Sequence, residues 1–321
     1  METTLVPSSL FATSNSQDIS KLLSQLPKQT YFEDYELYQW QGTWYSPAHL
    51  EGTFAAQKLF EARDDDIILT SSIKSGTTWL KSLVSCIINF PQGDDDDPLI
   101  KNNPHHVVST LEAHVFVENL DISTLPSPRI FHTHLPYNSL PDSIKISNCK
   151  IVYIARDAKD TFVSLWHFLN TVRTQEQGPF PIEEAFESFC NGVQFFGPSL
   201  DHVLEYWNKS LVFSNKILFL KYEEMKRNPK EQVLKLASFL GKSFANDEEL
   251  DSVLWRSSFE RLKNLDVNKS KSGNVTGFAK CSFFRLGTTG DWKNYFTKEM
   301  QERLDRIIRL KYEGSGLNLE I

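Results

Sequence analysis

The 321-residue sequence lacks the features that mark several large classes of protein. It contains only four cysteines, and no two of them form a CxxC pair, so we expect neither a disulfide framework nor a zinc site. It has no run of about 18 apolar residues, so no transmembrane helix is predicted. Its first residues lack the basic start and long apolar core of a secretory signal. These features favour a cytoplasmic location and argue against a membrane partner.

Basic residues are also in the minority. The chain has 34 lysines and arginines against 41 aspartates and glutamates, a formal net charge of −7, which argues against general nucleic-acid binding. The hydrophobic content of 40% is enough for a sizeable core. Residues 1–17 are rich in serine and threonine and are predicted to be disordered. Residues 18–321 are therefore interpreted as one domain.

Apolar segments alternate with helical patterns along the chain. Strands are predicted at 67–72, 129–135, 150–156 and 216–222, and the main helices at 18–26, 47–62, 79–89, 157–171, 228–240 and 297–312. This alternation indicates an α/β fold in which helices flank a central parallel sheet, and ligands of such sheets bind at the carboxyl ends of the strands. The residues that fall at those ends, and that we therefore expect to share one site, are Lys74, His134, Arg156 and Tyr222.

The segment after the first predicted strand has the composition of an anion-binding loop. It reads SSIKSGTTW and places a lysine, a glycine and several hydroxyls at a helix start, where free backbone N–H groups bind phosphate or sulfate. It is not a Walker A sequence, because Lys74 precedes Gly76 and no second glycine lies upstream in the loop. On this pattern alone, an ordinary strand-to-helix turn with a solvated lysine is an equal alternative.

The string KSGTTW, Lys74 to Trp79, resembles the 5′-phosphosulfate-binding loop of the cytosolic sulfotransferases. The resemblance extends from about Tyr35 to the last predicted helix, and the aromatic-rich YQWQGTWY is most similar to the plant soluble branch. It implies a single domain with a P-loop-like strand, loop and helix. It also implies an enzyme that transfers a sulfuryl group from 3′-phosphoadenosine 5′-phosphosulfate (PAPS) to a hydroxyl of a small molecule, with no metal.

The resemblance extends to the catalytic residues. The string RIFHTHLP is similar to the family's catalytic strand, and this implies that His134 is the base. From chemistry alone, a structural histidine bonded to the backbone is the simpler interpretation. Lys74 is implied to stabilise the leaving phosphate, and Ser164 to orient Lys74. A positioned base contributes about 10²–10⁴-fold to a rate.

Further matches to the family imply a nucleotide site. The residues implied to hold the 5′-phosphate are Ser75, Gly76, Thr77 and Thr78, and Trp79 is implied to stack on the adenine. Those implied for the 3′-phosphate are Arg156, Ser164, Arg285 and Gly287, and those for the adenine are Tyr222, Ser257 and Phe259. For Arg156 the alternative is a salt bridge to Asp157 or Asp160, and for the adenine contacts it is simple packing.

Several positions depart from the family pattern. Ile73 replaces the proline that usually precedes the lysine. His132 stands where animal members usually carry a lysine, so one neutral donor replaces a cation. Leu286 removes one cation from the implied 3′-phosphate site, for which Lys280 is a candidate substitute. The dimer motif is incomplete because Lys298 replaces a valine, which favours a monomer, with a weak homodimer as the alternative.

The acceptor is predicted less sharply than the donor. The aromatic side chains predicted to line an apolar acceptor pocket, each with core packing as its alternative, are Phe32, Trp40, Trp44, Phe162, Trp166 and Phe168. Such a pocket fits a flavonoid, a brassinosteroid or a similar plant metabolite.

Two further stretches are predicted to lack regular structure. The aspartates at 94–97 are interpreted as a solvated loop, and residues 260–290 as irregular.

Two other functions are alternatives to a working sulfotransferase. One is a sulfotransferase-like binding protein with little turnover, suggested by Leu286 and His132. The other is a nucleotide kinase, which the missing Walker A sequence disfavours.

Overall fold

A five-stranded parallel sheet lies at the centre of the computed structural model, which describes residues 16–115, 120–270 and 278–319. Its strands are β4 (Ile67–Thr70), β5 (Ser109–Thr110), β6 (Ile130–Thr133), β7 (Lys150–Ala155) and β8 (Ile217–Lys221). Their order in the sheet is β5-β6-β4-β7-β8, and each neighbouring pair is parallel. The four predicted strands correspond to β4, β6, β7 and β8, and the predicted α/β fold with a central parallel sheet is confirmed.

Helices flank this sheet. The described α-helices are α1 (Ser16–Leu23), α2 (Pro47–Leu59), α3 (Thr77–Asn89), α4 (Pro98–Lys101), α5 (Pro104–Val107), α6 (Asp142–Ile146), α7 (Ala158–Asn170), α8 (Ile182–Cys190), α9 (Ser199–Val212), α10 (Tyr222–Arg227), α11 (Pro229–Phe239), α12 (Asp247–Arg256), α13 (Phe259–Asn264), α14 (Asp266–Lys269) and α15 (Lys298–Tyr312). None of these helices is both long and apolar enough to cross a membrane.

The sheet is buried on both faces, because its strands are apolar at successive positions and each face meets its own core cluster. Along β7, Tyr153 packs into one cluster while Val152 and Ile154 pack into the other. Successive side chains of a strand point to opposite faces, so such continuous apolar runs are typical of a sheet covered by helices on both sides.

A second, antiparallel sheet precedes the central one and was not predicted. It comprises β1 (Lys28–Tyr31), β2 (Tyr35–Trp40) and β3 (Thr43–Tyr45) in that order. The turn between β2 and β3 consists of two residues with positive φ, Gln41 and Gly42. This geometry suits a tight hairpin, whose usual sequence signal is Asn-Gly or Asp-Gly.

The interpretation of 94–97 as a solvated loop is wrong for one of its four aspartates. Asp97 is buried, caps α4, and forms salt bridges of 2.9 Å with Arg256 and 2.6 Å with Arg261. The partners lie about 160 residues further along the chain, so local composition could not reveal them. The other three aspartates are exposed.

The interpretation of 260–290 as irregular is also only partly right, because this stretch contains most of α13, all of α14 and a 3₁₀ turn at Lys280–Phe283. Residues 271–277 lie outside the described residues. The segment 1–17, predicted to be disordered, also lies outside them, except for residues 16 and 17, which begin α1.

Candidate active site

The carboxyl ends of β4, β6, β7 and β8 surround a cavity of about 1180 Å³. Thirteen of the fourteen predicted site residues line it: Lys74, Gly76, Thr77, Thr78, Trp79, His134, Arg156, Ser164, Tyr222, Ser257, Phe259, Arg285 and Gly287. The exception is Ser75, which is buried with its hydroxyl 2.7 Å from that of Ser72. The other thirteen residues therefore line one cavity, which the strand ends suggested for Lys74, His134, Arg156 and Tyr222 and which the family resemblance implied for the others.

The loop between β4 and α3 is shaped by two residues with positive φ. Lys74 has φ +67° and Gly76 has φ +113°. A Cβ at Gly76 would lie 2.9 Å from the ring of Tyr222, so the position needs glycine for both conformation and space. Gly76 is also the N-cap of the 13-residue helix α3. The first N–H groups of this helix have no partner within it and suit an anion.

The ammonium group of Lys74 lies among aromatic rings and other cations. Its Nζ is 3.9 Å from the centroid of the Phe168 ring and 5.5 Å from that of Phe283. Burial, together with the positive charges of Arg156 and Arg285, lowers the pKa of Lys74 to about 7. An anionic ligand in the cavity would supply the counter-charge that this site lacks.

Ser164 lines the same cavity but has a different relation to Lys74 from the implied one. Among the described residues, no hydrogen bond joins the two side chains, and the ammonium group lies over the Phe168 ring. That Ser164 orients Lys74 stays a prediction for the ligand-bound state.

Arg156 follows β7 and keeps part of its guanidinium available. Its Nη2 donates to the carbonyl of Thr288 at 2.8 Å and lies 3.6 Å from Asp160, while the ring of Tyr222 is 4.7 Å from the guanidinium carbon. Its Nε is buried without a hydrogen-bond partner. Buried polar groups are nearly always paired, so this N–H points to a missing ligand.

The alternative partners of Arg156 have other tasks. Asp160 accepts hydrogen bonds from the backbone N–H groups of Gly290 at 2.6 Å and Trp292 at 3.1 Å. Asp157 caps α7 by accepting from the N–H groups of residues 159 and 160. The salt-bridge alternative is therefore reduced to the long contact with Asp160.

The loop at residues 285–291 closes the same end of the cavity. Arg285 forms a 2.7 Å salt bridge with Asp291. Gly287 has φ +66°, and a Cβ there would lie 2.5 Å from the ring of Phe259. Leu286 also lines the cavity, whereas Lys280, its candidate substitute as a cation, is not among the lining residues.

His134 follows β6, and its hydrogen bonds fix which nitrogen faces the ligand. Its Nδ1 lies 2.8 Å from the carbonyl of Ser71, which can only accept, so Nδ1 carries the proton. The unprotonated Nε2 is then the nitrogen left for the cavity. The backbone N–H of His134 donates to the buried carboxylate of Glu112 at 2.7 Å. Burial is the main cause that lowers the pKa of His134 to about 3, so the ring is neutral.

A second layer of polar residues supports His134. The Nε2 of His202 lies 3.0 Å from the backbone carbonyl oxygen of His134. The Nδ1 of His202 lies 2.9 Å from the hydroxyl of Tyr153. Glu112 accepts from Thr133 at 2.8 Å as well as from His134. These contacts come from α9, β7 and the segment after β5, and they hold the backbone of His134 in place, while the carbonyl of Ser71 orients its imidazole.

A buried lysine close to His134, Lys81, was not predicted from the sequence. His132 lies behind the catalytic candidate, with its ring centroid 4.4 Å from that of His134, and is not among the cavity-lining residues. Lys81 on α3 is fully buried and donates to the carbonyl of Val108 at 2.9 Å and the hydroxyl of Thr110 at 3.1 Å. Burial lowers its pKa to about 7. Lys81 lies one helical turn after Thr77 in TTWLK, a spacing that could have indicated a shared face.

The prediction for the acceptor pocket is mostly wrong. Of the six aromatic side chains predicted, only Phe168 lines the cavity. The others pack in the core or against it; Phe32, for example, stacks on Phe180 at 4.4 Å. Other rings that line the cavity include those of Tyr35, His49, Phe195, Phe196 and Phe278. They come from β2, α2 and loops, and no local motif marks them.

Comparison with known protein families gives a match over most of the chain. A family model described as the sulfotransferase domain matches residues 64–316, from just before β4 to beyond α15. The chain belongs to the sulfotransferase family. This sulfotransferase is 44% identical to cytosolic sulfotransferase 12 of Arabidopsis thaliana over 97% of each chain. It is 43% identical to a flavonol sulfotransferase-like protein of Flaveria bidentis, over 88% of this chain and 93% of that one.

Solved structures extend the similarity to the fold. A crystal structure of a candidate steroid sulphotransferase from Arabidopsis thaliana is 37% identical, has a TM-score of 0.76, and covers 98% of this chain and all of that one. Mouse sulfotransferase SULT7A1, solved with 3′-phosphoadenosine 5′-phosphate (PAP), is 29% identical with a TM-score of 0.70, over 87% of this chain and 95% of that one.

These relatives also bear on location. Several relatives that are 40–44% identical over at least 90% of this chain are named as cytosolic, which confirms the cytoplasmic location expected from the sequence. Within the described residues, no group of three or more histidine, cysteine or carboxylate side chains is placed to hold a metal ion.

Proposed function

We propose that this sulfotransferase uses PAPS as donor and transfers its sulfuryl group to a hydroxyl of a small, largely apolar plant metabolite. One observation carries the proposal: a neutral imidazole whose proton is held on Nδ1 opens onto the same cavity as a lysine-containing anion loop. A base for the acceptor and a cation for the leaving group are the two elements that sulfuryl transfer needs.

The residues at the nucleotide end fit this donor. Arg156 has a buried Nε without a partner, and Arg285 lines the cavity beside it, so two guanidinium groups are available for the 3′-phosphate. The N-terminus of α3 and the hydroxyls of Thr77 and Thr78 suit the 5′-phosphosulfate. Trp79 and Tyr222 lie edge to face at 5.5 Å and offer aromatic surface for the adenine.

The proposed chemistry is a single in-line transfer. His134 Nε2 takes the proton of the acceptor hydroxyl as the acceptor oxygen forms a bond to sulfur. The bond from sulfur to the 5′-phosphate oxygen breaks, and its electron pair stays on the phosphate. Lys74 stabilises the negative charge that develops there, with Ser164 as its positioning residue. The products are a sulfate ester and PAP, and His134 then releases its proton to water.

Similar proteins support the donor and the acceptor class. Mouse sulfotransferase SULT7A1 was solved with PAP, the product of PAPS. One relative is named flavonol sulfotransferase-like, and one structural neighbour is a candidate steroid sulphotransferase. The aromatic lining of the cavity is compatible with either kind of flat acceptor. We therefore propose a flavonoid or brassinosteroid hydroxyl as the first acceptor to test, and a monomer as the working state.

The test separates nucleotide binding from turnover. Calorimetry should detect tight binding of PAP and much weaker binding of ADP, which lacks the 3′-phosphate. With PAPS and a panel of flavonoids and steroids, His134→Ala should keep PAP affinity and lose about 10²–10⁴-fold in turnover. His106→Ala, at an exposed histidine, should leave both unchanged.

Each possible failure points to a different part of the proposal. Wild-type turnover in His134→Ala would remove this residue from the mechanism. Acceptor binding without any sulfuryl transfer would favour the alternative, a binding protein that retains the fold.

A further inference from the structure

The end of the cavity near His134 and Phe196 is the proposed acceptor end, and a second imidazole, that of His49, also lies there. His49 lies in the first turn of α2 and lines the cavity together with Phe195 and Phe196. We propose that His49 is a specificity-determining residue whose Nε2–H donates a hydrogen bond to a second oxygen of the acceptor. The proposal rests on the function proposed above, because it concerns the acceptor of that reaction.

The contacts of Ser46 determine which nitrogen of His49 faces the cavity. Ser46 is the N-cap of α2, and its hydroxyl oxygen accepts the backbone N–H of His49 at 3.3 Å. The same oxygen lies 2.9 Å from Nδ1 of the His49 ring. The hydroxyl of Ser46 has one proton to donate, and we assign this proton to the hydrogen bond with Nδ1. The ring's own proton is then on Nε2, the nitrogen left for the cavity.

The two imidazoles of the acceptor end therefore have opposite hydrogen-bonding character. His134 carries its proton on Nδ1, toward Ser71, and presents a lone pair on Nε2. His49, with Nδ1 occupied by Ser46, presents a donor on Nε2. Burial lowers the pKa of His49 to about 4, so its ring is neutral near pH 7 and has one N–H to donate.

The ring of Phe196 lies between the two imidazoles and sets the shape of the acceptor. Its centroid is 4.8 Å from that of His49 and 5.7 Å from that of His134. Phe195 packs edge to face on His49 at 5.6 Å. A planar molecule lying against Phe196 could present one hydroxyl to His134 and an oxygen at another position to His49. This arrangement favours planar acceptors with two oxygens over those with one.

An acceptor that lacks the second oxygen would leave the N–H of His49 without a partner when the ligand displaces water. A neutral hydrogen bond in a partly buried site is worth up to about tenfold in affinity. Glu112 is a carboxylate that also lines the cavity, but it is buried and accepts hydrogen bonds from Thr133 at 2.8 Å and from the backbone N–H of His134 at 2.7 Å.

The experiment measures acceptor binding directly, so that it does not depend on turnover. The PAP-loaded enzyme would be titrated calorimetrically with 2-naphthol and with the series of naphthalenediols that carry a second hydroxyl. We expect at least one diol to bind about tenfold more tightly than 2-naphthol. His49→Phe should remove this preference while keeping 2-naphthol within about threefold of wild type, and His49→Gln, which retains a donor at a similar reach, should restore most of it.

The outcomes distinguish this proposal from the proposed function. Equal affinity for all the naphthols, no binding of any of them, or a preference that persists in His49→Phe would overturn the assignment of His49. A parallel assay with PAPS tests sulfuryl transfer separately. A chain that prefers the diols through His49 but transfers no sulfuryl group would support His49 and refute the catalytic proposal.

Discussion

The Nζ of Lys74 lies 3.9 Å from the centroid of the Phe168 ring, on the side of the cavity where Arg156 and Arg285 also lie. Among the described residues, no carboxylate forms a salt bridge with this ammonium group. A ring face is worth about 0.5–2 kcal/mol to a cation, less than the desolvation of a buried lysine costs. Lys74 is therefore charged only in part at neutral pH and depends on a ligand for its full charge.

Because Lys74 is only partly protonated near pH 7, the affinity for a nucleotide should depend on pH. Without ligand, the pKa of Lys74 is about 7, and a bound nucleotide anion favours the protonated form and raises this pKa. Above pH 7 the free enzyme must take up a proton to bind PAP, so PAP affinity falls by up to about tenfold per pH unit. Calorimetry at pH 8 in buffers of different ionisation enthalpy should detect the uptake of close to one proton.

Lys74→Arg provides the control for this linkage, because a guanidinium stays protonated throughout this range. Its PAP affinity should not vary with pH between about 7 and 8.5, even if it is weaker overall. If wild type binds PAP without proton uptake at pH 8, the charge of Lys74 is already complete in the free enzyme.

The hydrogen bond from His134 to Ser71 predicts one tautomer over a wide pH range. Since burial lowers the pKa of His134 to about 3, the ring should stay neutral with its proton on Nδ1 from about pH 8 down to pH 5. Nitrogen-detected NMR of labelled histidines, with His134→Gln for assignment, reads both properties. A titration near the ordinary pKa of 6.5, or a proton on Nε2, would contradict the structure.

The proposed nucleotide end of the cavity was predictable from the sequence in part, because some of its residues are consecutive or end strands, whereas Ser257, Arg285 and Gly287 were implied only by the resemblance to the family. Lys74 to Trp79 form one continuous loop and helix start, and Arg156 directly follows a buried strand. Such positions can be inferred from apolar runs alone, since parallel strands bring their carboxyl ends to one edge. The same runs predicted four of the five strands of the central sheet, and the two-residue strand β5 was missed.

The acceptor end was not predictable by the same means. His49 and Phe196 reach the cavity from a helix and a loop about 150 residues apart, and only tertiary packing brings them together. The hairpin before α2 was missed because Gln41 and Gly42 lack the usual turn signal. Asp97 and Lys81 were missed because a buried charge is recognised by its partners, which local composition does not reveal.

Asp97 is predicted to stabilise the chain and the nucleotide site together. It is buried between Arg256 and Arg261, which flank the cavity-lining residues 257–259. Asp97→Ala leaves the largely buried Arg261 without an ion pair among the described residues and Arg256 with only a 3.5 Å contact to the exposed Asp94, and it should cost about 3–5 kcal/mol of unfolding free energy. Urea denaturation measures this loss, and PAP affinity should fall as well because the segment loses its anchor.

Asp95→Ala is the matched control, since this exposed aspartate lies in the same loop. It should change the free energy of unfolding by less than about 0.5 kcal/mol. If the two variants behave alike, the ion pairs of Asp97 contribute nothing measurable.

Alanine substitutions at Gly287 and Gly290 distinguish the effect of backbone strain from that of a steric clash, in the loop beside the proposed nucleotide site. Both have positive φ, +66° and +80°, so alanine costs about 1–2 kcal/mol of backbone strain at either position. Only at Gly287 would the new Cβ meet an obstacle, the ring of Phe259 at 2.5 Å; at Gly290 nothing lies within 4 Å. Gly287→Ala must therefore displace Phe259 or the loop, and we expect PAP affinity to fall at least about tenfold more than in Gly290→Ala. Calorimetry with PAP on both variants, together with their urea unfolding curves, measures the two effects. Equal loss of PAP affinity in the two variants would mean that strain alone, and not the contact with Phe259, holds this loop in position for the nucleotide.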